Sequence, residues 1–425
     1  MLKRVLLVLL VGGLVAGCAD TKPKAPQEGR IAIYETTGEL EPNAKVPVKL
    51  EKAAEIKAWV QSNYNAQNRR PTGPEMGSKI KLRCTVAIDS GFTGDSWAVA
   101  EPLYKDGVIY AMSSGFSITA IRVDKCKRLW TRKLPIVGDG TTTKAMGLAI
   151  ADNTLFATVG DGSLFALTLD GTILGQKKFD NPVRSAPIVY NSKLYVTSSD
   201  NQIFVVRLKD GKKSWNYKTL HSSMSFFGMA PAGAYGDMLV VPFSNGDVTA
   251  FDANTGTVVW DETFLKPSIS NRTVELSHIL AAPVIEDHVV YIVTNAEETA
   301  AFNISTGRKL WEVPISGQST PTISGNTLFI ASSDEHAVAL DKRTGQVIWM
   351  TPLPGKAKEQ SIWHGPLVMG TKLIFTSSRG KGIVLDALTG EQVSTFKSKP
   401  SMSAPIAIPG GFALLVNRSQ LLIYR

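Results

Sequence analysis

The side chains of this chain that are best suited to metal binding or nucleophilic catalysis are five histidines and three cysteines. No two histidines have the His-x-x-His or His-x-x-x-His spacing that places two ligands on one metal ion. They are His221, His278, His288, His336 and His364. The sequence also lacks a Gly-x-Ser-x-Gly nucleophile motif, a phosphate-binding loop and a Cys-x-x-Cys pair. We therefore predict no catalytic residue and no metal site from these motifs.

The charge balance is moderately basic, with 46 Lys and Arg against 37 Asp and Glu and a formal net charge of +9. Loss of Lys3 and Arg4 with a leader peptide would leave about +7 (9 − 2). Nucleic-acid-binding proteins concentrate basic residues in a patch or stripe, whereas here they are spread along the chain. We predict no nucleic-acid partner and favour a mildly basic surface near anionic lipid or an acidic partner.

Residues 1–18 have the pattern of a signal peptide rather than of a structural element. Lys3 and Arg4 precede an apolar stretch that is too short to span a bilayer. The stretch ends in Val-Ala-Gly-Cys and resembles a bacterial lipobox, which implies a lipoprotein acylated at Cys18, for example with palmitate. Ala19, rather than Asp, follows, and the resemblance then implies anchoring in the outer membrane, facing the periplasm. The alternative is an ordinary secretory peptide with a chance cysteine.

Residues 19–77 are predicted to form a tether or N-terminal arm. The first part is rich in Pro, Lys, Glu, Thr and Asn, a composition that does not favour a packed core. Residues 51–61 fit two interpretations. They form either a short helix with Ile56, Trp59 and Val60 on one face, or an extended arm that docks Trp59 on the following domain.

Residues 78–425 contain a repeat of about 40–50 residues, the period expected of four-stranded propeller blades. Its clearest copy runs from Thr320 to Trp349 and consists of short apolar strands separated by turns. The repeat opens with proline or, once, with glycine, at Pro102, Gly147, Pro187, Pro231, Pro283, Pro321, Pro366 and Pro405. We therefore predict an all-β fold, an eight-bladed β-propeller of four-stranded antiparallel blades.

The last copy has three strands before the chain ends, so its fourth strand must come from elsewhere. Residues 80–88 are apolar enough to supply it, and an N-terminal strand would close the ring without a free sheet edge. Seven blades remain the alternative if the copy at Gly147, which lacks Pro and Trp, is not a blade. Cys84 and Cys126 both lie near this closure, where they are either joined by a disulfide or buried as two small apolar side chains.

A short core within the repeat reads Ala-x-Asp-x-x-Thr-Gly-x-x-x-Trp, as in the stretch from Ala250 to Trp260. This core resembles the quinoprotein-type propeller repeat, whose family includes quinone-dependent dehydrogenases and cofactor-free scaffolds. Together with the lipobox and the arm, it most resembles BamB-type lipoproteins of the outer-membrane β-barrel assembly machinery. The resemblance implies a non-enzymatic scaffold without a cofactor that binds a BamA-type subunit and nascent outer-membrane proteins. The alternatives are a pyrroloquinoline-quinone-dependent dehydrogenase and another periplasmic protein-binding propeller.

Two connections between blades are candidate partner surfaces. The first contains Met224, Ser225, Phe226 and Phe227, and an aromatic and methionine cluster with a polar border is typical of an interaction hot spot. The second is longer than a hairpin needs and carries Arg272, Glu275 and His278. In the BamB family these loops contact BamA through an Arg and two acids that are missing here, so we expect a mainly apolar interface. The alternative is that Phe226 and Phe227 fill the groove between blades.

Overall fold

A computed structural model of the chain describes residues 40–43, 45–89, 100–136, 146–219, 230–264, 279–295, 298–355, 360–401 and 403–425. Within these ranges the chain forms 33 β-strands, grouped into eight antiparallel sheets. In this described part, no helix is long and apolar enough to span a bilayer. The sheets are the blades of a β-propeller, which confirms the predicted fold class.

Each blade is an antiparallel meander whose first strand lies nearest the central axis. The strands of blades 1–4 are β3 (Leu103–Lys105), β4 (Val108–Met112), β5 (Ser117–Arg122) and β6 (Lys127–Lys133); β7 (Met146–Ala151), β8 (Thr154–Val159), β9 (Ser163–Thr168) and β10 (Ile173–Lys178); β11 (Ile188–Tyr190), β12 (Lys193–Thr197), β13 (Gln202–Arg207) and β14 (Lys213–Lys218); and β15 (Gly233–Tyr235), β16 (Met238–Pro242), β17 (Asp247–Asp252) and β18 (Val258–Thr263).

The other four blades repeat this order. The strands of blades 5–8 are β19 (Val284–Glu286), β20 (Val289–Val293), β21 (Thr299–Asn303) and β22 (Lys309–Val313); β23 (Thr322–Ser324), β24 (Thr327–Ala331), β25 (His336–Asp341) and β26 (Val347–Pro352); β27 (Trp363–Met369), β28 (Lys372–Ser377), β29 (Lys381–Asp386) and β30 (Gln392–Lys397); and β31 (Ile406–Ile408), β32 (Gly411–Val416), β33 (Gln420–Tyr424) and β2 (Leu82–Ala87). A short strand, β1 (Ala58–Trp59), is added beside β3 in blade 1.

The ring is closed by a strand from the N-terminal side of the propeller, as predicted. Strand β2 pairs with β33 in antiparallel register, from Leu82 opposite Tyr424 to Ala87 opposite Gln420. The repeat at Gly147 forms the complete four-stranded blade 2, so the seven-blade alternative is wrong. Closure matters because a blade lacking its outer strand would expose unpaired backbone groups.

The repeated Asp and Thr-Gly residues build the turn between the third and fourth strands of a blade. In blade 4 the Asp252 carboxylate accepts hydrogen bonds from the backbone N–H groups of Asn254 (2.9 Å) and Thr255 (2.8 Å). Gly256 then takes a φ of +80°, which a glycine adopts without a steric penalty. Asn303, Asp341 and Asp386 cap the equivalent turns of blades 5, 6 and 7 in the same way.

The repeated tryptophan fastens each such turn to the preceding blade, and we call the interface between two neighbouring blades a seam. In the seam between blades 4 and 5, the Trp260 Nε1 group donates a hydrogen bond to the Ile304 carbonyl oxygen at 2.6 Å. A Cβ on Gly307 would come within 2.7 Å of the same indole, so only glycine fits there. Five seams have this pairing of tryptophan with glycine, namely Trp130 with Gly171, Trp215 with Gly256, Trp260 with Gly307, Trp311 with Gly345, and Trp349 with Gly390.

At the ring closure a disulfide takes the place of the tryptophan and the glycine. Cys84 lies opposite Ile423 next to a bulge in β2, which is the register position that Trp260 occupies opposite Ala250 in blade 4. Cys126 stands four residues before Trp130, in the position of the turn glycine. The two cysteines are bonded across the seam between blades 8 and 1, with their Cα atoms 6.4 Å apart.

Candidate functional site

The propeller has two rims that differ in what they carry. Because the strands alternate in direction, the turns from first to second strand and from third to fourth strand share one rim, which we call the turn rim. The connections from one blade to the next lie on the opposite rim, the connection rim. The predicted partner residues Met224, Ser225, Phe226, Phe227, Arg272, Glu275 and His278 belong to two such connections, and like Cys18 they lie outside the described residues.

The structure does describe the ends of these two connections. The first runs from β14 in blade 3 to β15 in blade 4, and the second from β18 in blade 4 to β19 in blade 5. Since both join consecutive blades, they start and finish side by side on the connection rim. Phe264 and Ile279, at the two ends of the second connection, are both buried in the core between blades 4 and 5. The described ends of the two connections therefore lie on adjoining blades.

A buried amide stiffens this part of the connection rim. Asn201, fully buried in the turn between β13 and its preceding strand, has a φ of +56°. Its Oδ1 atom accepts hydrogen bonds from the Ser244 backbone N–H (3.0 Å) and the Ser244 hydroxyl (2.8 Å), which belong to the equivalent turn of blade 4. Asn201 and Ser244 thus join blades 3 and 4 directly on the connection rim.

The turn rim is covered by residues 58–76, which we call the belt. The belt touches the inner ends of seven blades in chain order and then continues into β2 of blade 8. Its contacts with blades 1 to 7 are Trp59 opposite Tyr104, Val60 O with Ile150 N, Gln61 Oε1 with Val189 N, Ala66 O with Ala234 N, Gln67 O with Ile285 N, Thr72 Oγ1 with Ser324 Oγ, and Gly73 O with Gly370 N. Residues 51–57 form no helix, Ala58–Trp59 is a short strand, and Trp59 is fully buried.

A buried charge pair holds the belt against blade 1. The Glu101 carboxylate accepts hydrogen bonds from Trp59 Nε1 (2.7 Å) and from the backbone N–H of Asn63 (3.0 Å). Arg70, of which only 2% is exposed, lies 3.6 Å from the same carboxylate. Burial raises the pKa of Glu101, and the charge of Arg70 opposes that rise. Removing either partner would leave a buried unpaired charge, which typically costs about 3–5 kcal/mol.

A second ionic cluster joins the belt to blades 5 and 6. Arg69 contacts both Glu51 and Glu286, and Lys342 pairs with Glu286 from the other side. Although partial burial acts to lower the pKa of Arg69, the two carboxylates raise it overall. These ion pairs hold the belt in place. In the described residues, the turn rim is therefore occupied by contacts within the protein.

The three described histidines occupy separate places. His288 packs edge-on against Tyr235, His336 Nδ1 lies 3.2 Å from a carboxylate oxygen of Asp334, and burial lowers the pKa of His364 to about 4. No group of three or more His, Cys, Asp or Glu side chains in the described ranges is placed to hold a metal ion.

Of the two interpretations of residues 51–61, the arm that docks Trp59 agrees with the structure, but sequence reasoning missed the rest of the belt and its buried pair. A polar stretch with two arginines and several amides is typical of a solvated linker, and residues 61–70 have this composition. The useful signal was Trp59 with Tyr64, two large aromatic residues that need a core, and their rings pack edge-to-face at 5.3 Å.

Comparison with known proteins gives a consistent result. Residues 117–351 and 306–423 match the family model described as outer membrane protein assembly factor BamB. An uncharacterised protein of Rickettsia conorii is 26% identical over 226 residues, which are 51% of this chain and 53% of that protein. The outer membrane protein assembly factor BamB of Nitrosomonas eutropha is 22% identical over 216 residues, 50% of this chain and 51% of that protein. The chain thus spans about half the length of these curated relatives.

Solved structures share the fold at low identity. The crystal structure of BamB from Moraxella catarrhalis has a TM-score of 0.69 and 18% identity, covering 82% of this chain and all of that chain. Quinohemoprotein alcohol dehydrogenase from Comamonas testosteroni has a TM-score of 0.67 and 12% identity, covering 88% of this chain and 81% of that chain. At these identities the likeness shows the propeller fold alone, which assembly factors and dehydrogenases have in common.

Proposed function

Because the chain belongs to the family of outer membrane protein assembly factors BamB, we propose that it is a non-enzymatic, lipid-anchored scaffold of the β-barrel assembly machinery. In this role it binds a BamA-type subunit in the periplasm and aids the assembly and insertion of nascent outer-membrane proteins. The observation that carries the proposal is the family match, which runs from the third strand of blade 1 into blade 8.

The difference between the two rims supports the connection rim as the side that binds the partner. Buried charges and hydrogen bonds with seven blades occupy the turn rim, whereas the connection rim presents two neighbouring connections on a framework stiffened by Asn201. Rigid elements that carry sequence-variable connections are a common basis for binding surfaces. The proposed contact residues are Met224, Ser225, Phe226, Phe227, Arg272, Glu275 and His278.

The test is affinity purification of the tagged protein from solubilised outer membrane. Replacing Met224 and Phe226 together with aspartate should abolish co-purification of the BamA-type subunit, since apolar burial would be lost at the centre of the contact. The matched control replaces Leu388 and Val393, which are 45% and 40% exposed on blade 7, with aspartate. The control should retain the partner, and both variants should melt within a few degrees of the wild type.

Two outcomes would contradict this assignment. Full co-purification with the first double variant would remove the connection from the partner surface. A collapsed fold in that variant alone would instead place Phe226 in the groove between blades, where it serves the core.

The anchor has its own test. Lipidation of a lipobox requires the thiol, so Cys18→Ala should leave the protein unprocessed or in the soluble fraction. Ala19→Asp keeps the thiol and should move the protein to the inner membrane. Membrane fractionation with mass spectrometry of the N-terminus measures both, and wild-type distribution of Cys18→Ala would show that the anchor is elsewhere.

The dehydrogenase alternative rests on the shared fold alone, and a binding measurement separates it from the scaffold. Purified protein is incubated with pyrroloquinoline quinone and Ca²⁺ and then passed over a desalting column. We expect no quinone absorbance in the protein fraction, and stoichiometric retention would favour the dehydrogenase.

A further inference from the structure

The seam between blades 2 and 3 lacks the tryptophan that fastens five of the other seams. Gly175 lies opposite Ala166 beside a bulge in β10, the same register position that Trp260 occupies opposite Ala250 in blade 4. Across the seam, Gly211 stands four residues before Trp215, where the turn glycine belongs, and has a φ of +64°. The turn is therefore shaped to receive an indole that the preceding blade does not supply.

The missing indole leaves an open apolar cavity. A Cβ on Gly175 or Gly211 would have no other atom of the described structure within 4 Å, whereas at Gly307 the Trp260 ring is 2.7 Å away. The cavity has a volume of about 320 Å³, within the range of about 300–1,000 Å³ typical of ligand pockets. Its apolar walls are Phe156, Leu164, Leu194, Val206 and Leu208.

The cavity also contains a polar group placed for an indole N–H. In four of the five seams that contain a tryptophan, its Nε1 group donates to the carbonyl three residues before the turn glycine, as Trp260 does to Ile304. The corresponding carbonyl here belongs to Leu208, and no donor in the described part of the chain bonds to it. A cavity of this shape with a free acceptor suits an aromatic side chain that carries an N–H or O–H group.

The surroundings of the cavity are basic. Lys177 and Arg207 line it. An adjoining cavity of about 260 Å³ that shares Lys177 is also lined by Lys178 and Lys213, with Asp180 as its one acidic residue. Arg207 pairs with Asp210, which also feels the positive charge of Lys212, and Lys178 pairs with Asp161. Lys213 has no ion pair with an acidic side chain of the described residues. The positive charge around the mouth of the cavity therefore favours a ligand that carries carboxylates.

The outer strand of blade 2 adds an exposed apolar side chain next to the cavity. Leu174 is 60% exposed, more than any other large apolar residue in the described part of the chain. It lies on β10, an edge strand that is open to pairing with an extended segment.

We propose that the seam between blades 2 and 3 is a docking site for an extended segment of a partner protein, which inserts one aromatic side chain flanked by acidic residues. The aromatic ring takes the place of the indole that fills five other seams. Its polar group bonds the Leu208 carbonyl, and the flanking carboxylates pair with Lys212 and Lys213. This site is on the outer surface of the ring, and its lining includes none of the residues proposed to bind the BamA-type subunit.

The test measures fluorescence anisotropy of labelled peptides with the full chain. The probe is Glu-Ser-Trp-Ser-Glu, and the matched controls are Glu-Ser-Ala-Ser-Glu and Lys-Ser-Trp-Ser-Lys. Each control should bind at least about tenfold more weakly, a factor that corresponds to about 1.4 kcal/mol. Added salt should weaken binding of the probe, because salt screens the exposed charges around the mouth of the cavity.

Two sets of variants locate the binding. Gly175→Trp supplies the repeat's own residue, so it should reduce probe affinity at least about tenfold and raise the melting temperature, while Gly175→Ala should leave affinity close to that of the wild type. The double variant Lys212→Glu with Lys213→Glu leaves the cavity intact and should weaken the probe even if Gly175→Trp does not fold.

Three results would overturn the proposal. They are no binding of the probe to the wild type, equal binding of all three peptides, and unchanged affinity in the lysine double variant. Self-association of the wild type that Gly175→Trp abolishes, without peptide binding, would instead assign the cavity to a second copy of the chain.

Discussion

The seam between blades 4 and 5 and the seam between blades 2 and 3 have the same strand register but differ in the side chains that fill them. In the first, the indole of Trp260 stacks on Phe302 with their centroids 6.0 Å apart and bonds the Ile304 carbonyl. In the second, the corresponding position is Gly175, and Lys177 reaches across the outer part of the seam to the Gly211 carbonyl. Trp260 of blade 4 fills the first seam, whereas no side chain of blade 2 fills the second.

The open seam is nevertheless held together by apolar contacts beside the cavity. Phe179 and Phe204 pack across it with centroids 4.7 Å apart, within a buried cluster that includes Val183, Leu194 and Val196. A closed ring of blades distributes stability over all its seams, so one outer contact can be absent without opening the structure. The tryptophan therefore stabilises the five seams that contain it, and its absence from blade 2 leaves the surface that we propose binds a partner.

The largest expected effect comes from emptying a filled seam. Trp260→Ala removes an indole that is about nine-tenths buried and leaves the Ile304 carbonyl without its donor, so the free energy of unfolding should fall by about 3–5 kcal/mol. Urea unfolding followed by circular dichroism measures the loss. Leu174→Ala, at the open seam, is the matched control and should cost less than about 0.5 kcal/mol. If both variants lost the same free energy of unfolding, the tryptophan would contribute no more to stability than the exposed leucine at the open seam.

The second-largest effect should come from removing the disulfide in the seam between blades 8 and 1. Replacing Cys84 and Cys126 together with serine removes a bond between residues 42 apart in sequence, and the loss should be about 2–4 kcal/mol. A reducing agent should destabilise the wild type by a similar amount and leave the double variant unchanged. A reductant effect on both proteins would show that it acts elsewhere.

The parts of the fold that could be predicted from sequence are those set by local chemistry. Asp252, Thr255, Gly256 and Trp260 recur at fixed spacing because each turn needs a cap, a positive φ and a large apolar contact. The need to pair an incomplete last blade similarly indicated a closing strand before the first repeat. These inferences required only the period and the last copy's missing strand.

The belt could not be predicted because its partners are distant in sequence. Asn68, for example, donates from its side chain to the carbonyls of Ala232 and Pro283, which are 164 and 215 residues away. An amide that bonds the ends of two blades has the same composition as one that bonds water. The proposed partner residues Met224 and Phe226 lie outside the described residues, so their role stays a prediction.

The smallest and most selective effect separates backbone strain from the contact with the indole. Gly211 and Gly307 have similar φ values, +64° and +69°, but only Gly307 faces a tryptophan. Gly211→Ala should therefore cost about 1–2 kcal/mol, the penalty of a left-handed residue with a Cβ. Gly307→Ala should cost a further 1–3 kcal/mol or so, because its Cβ would also collide with the Trp260 ring. In a Trp260→Ala background this further cost should vanish, and a double-mutant cycle by urea unfolding measures it. The collision needs both Trp260 and a Cβ at position 307. If Gly307→Ala lost the further free energy of unfolding even without Trp260, glycine would be required by the backbone of the turn alone. The open and filled seams would then differ only in the tryptophan side chain.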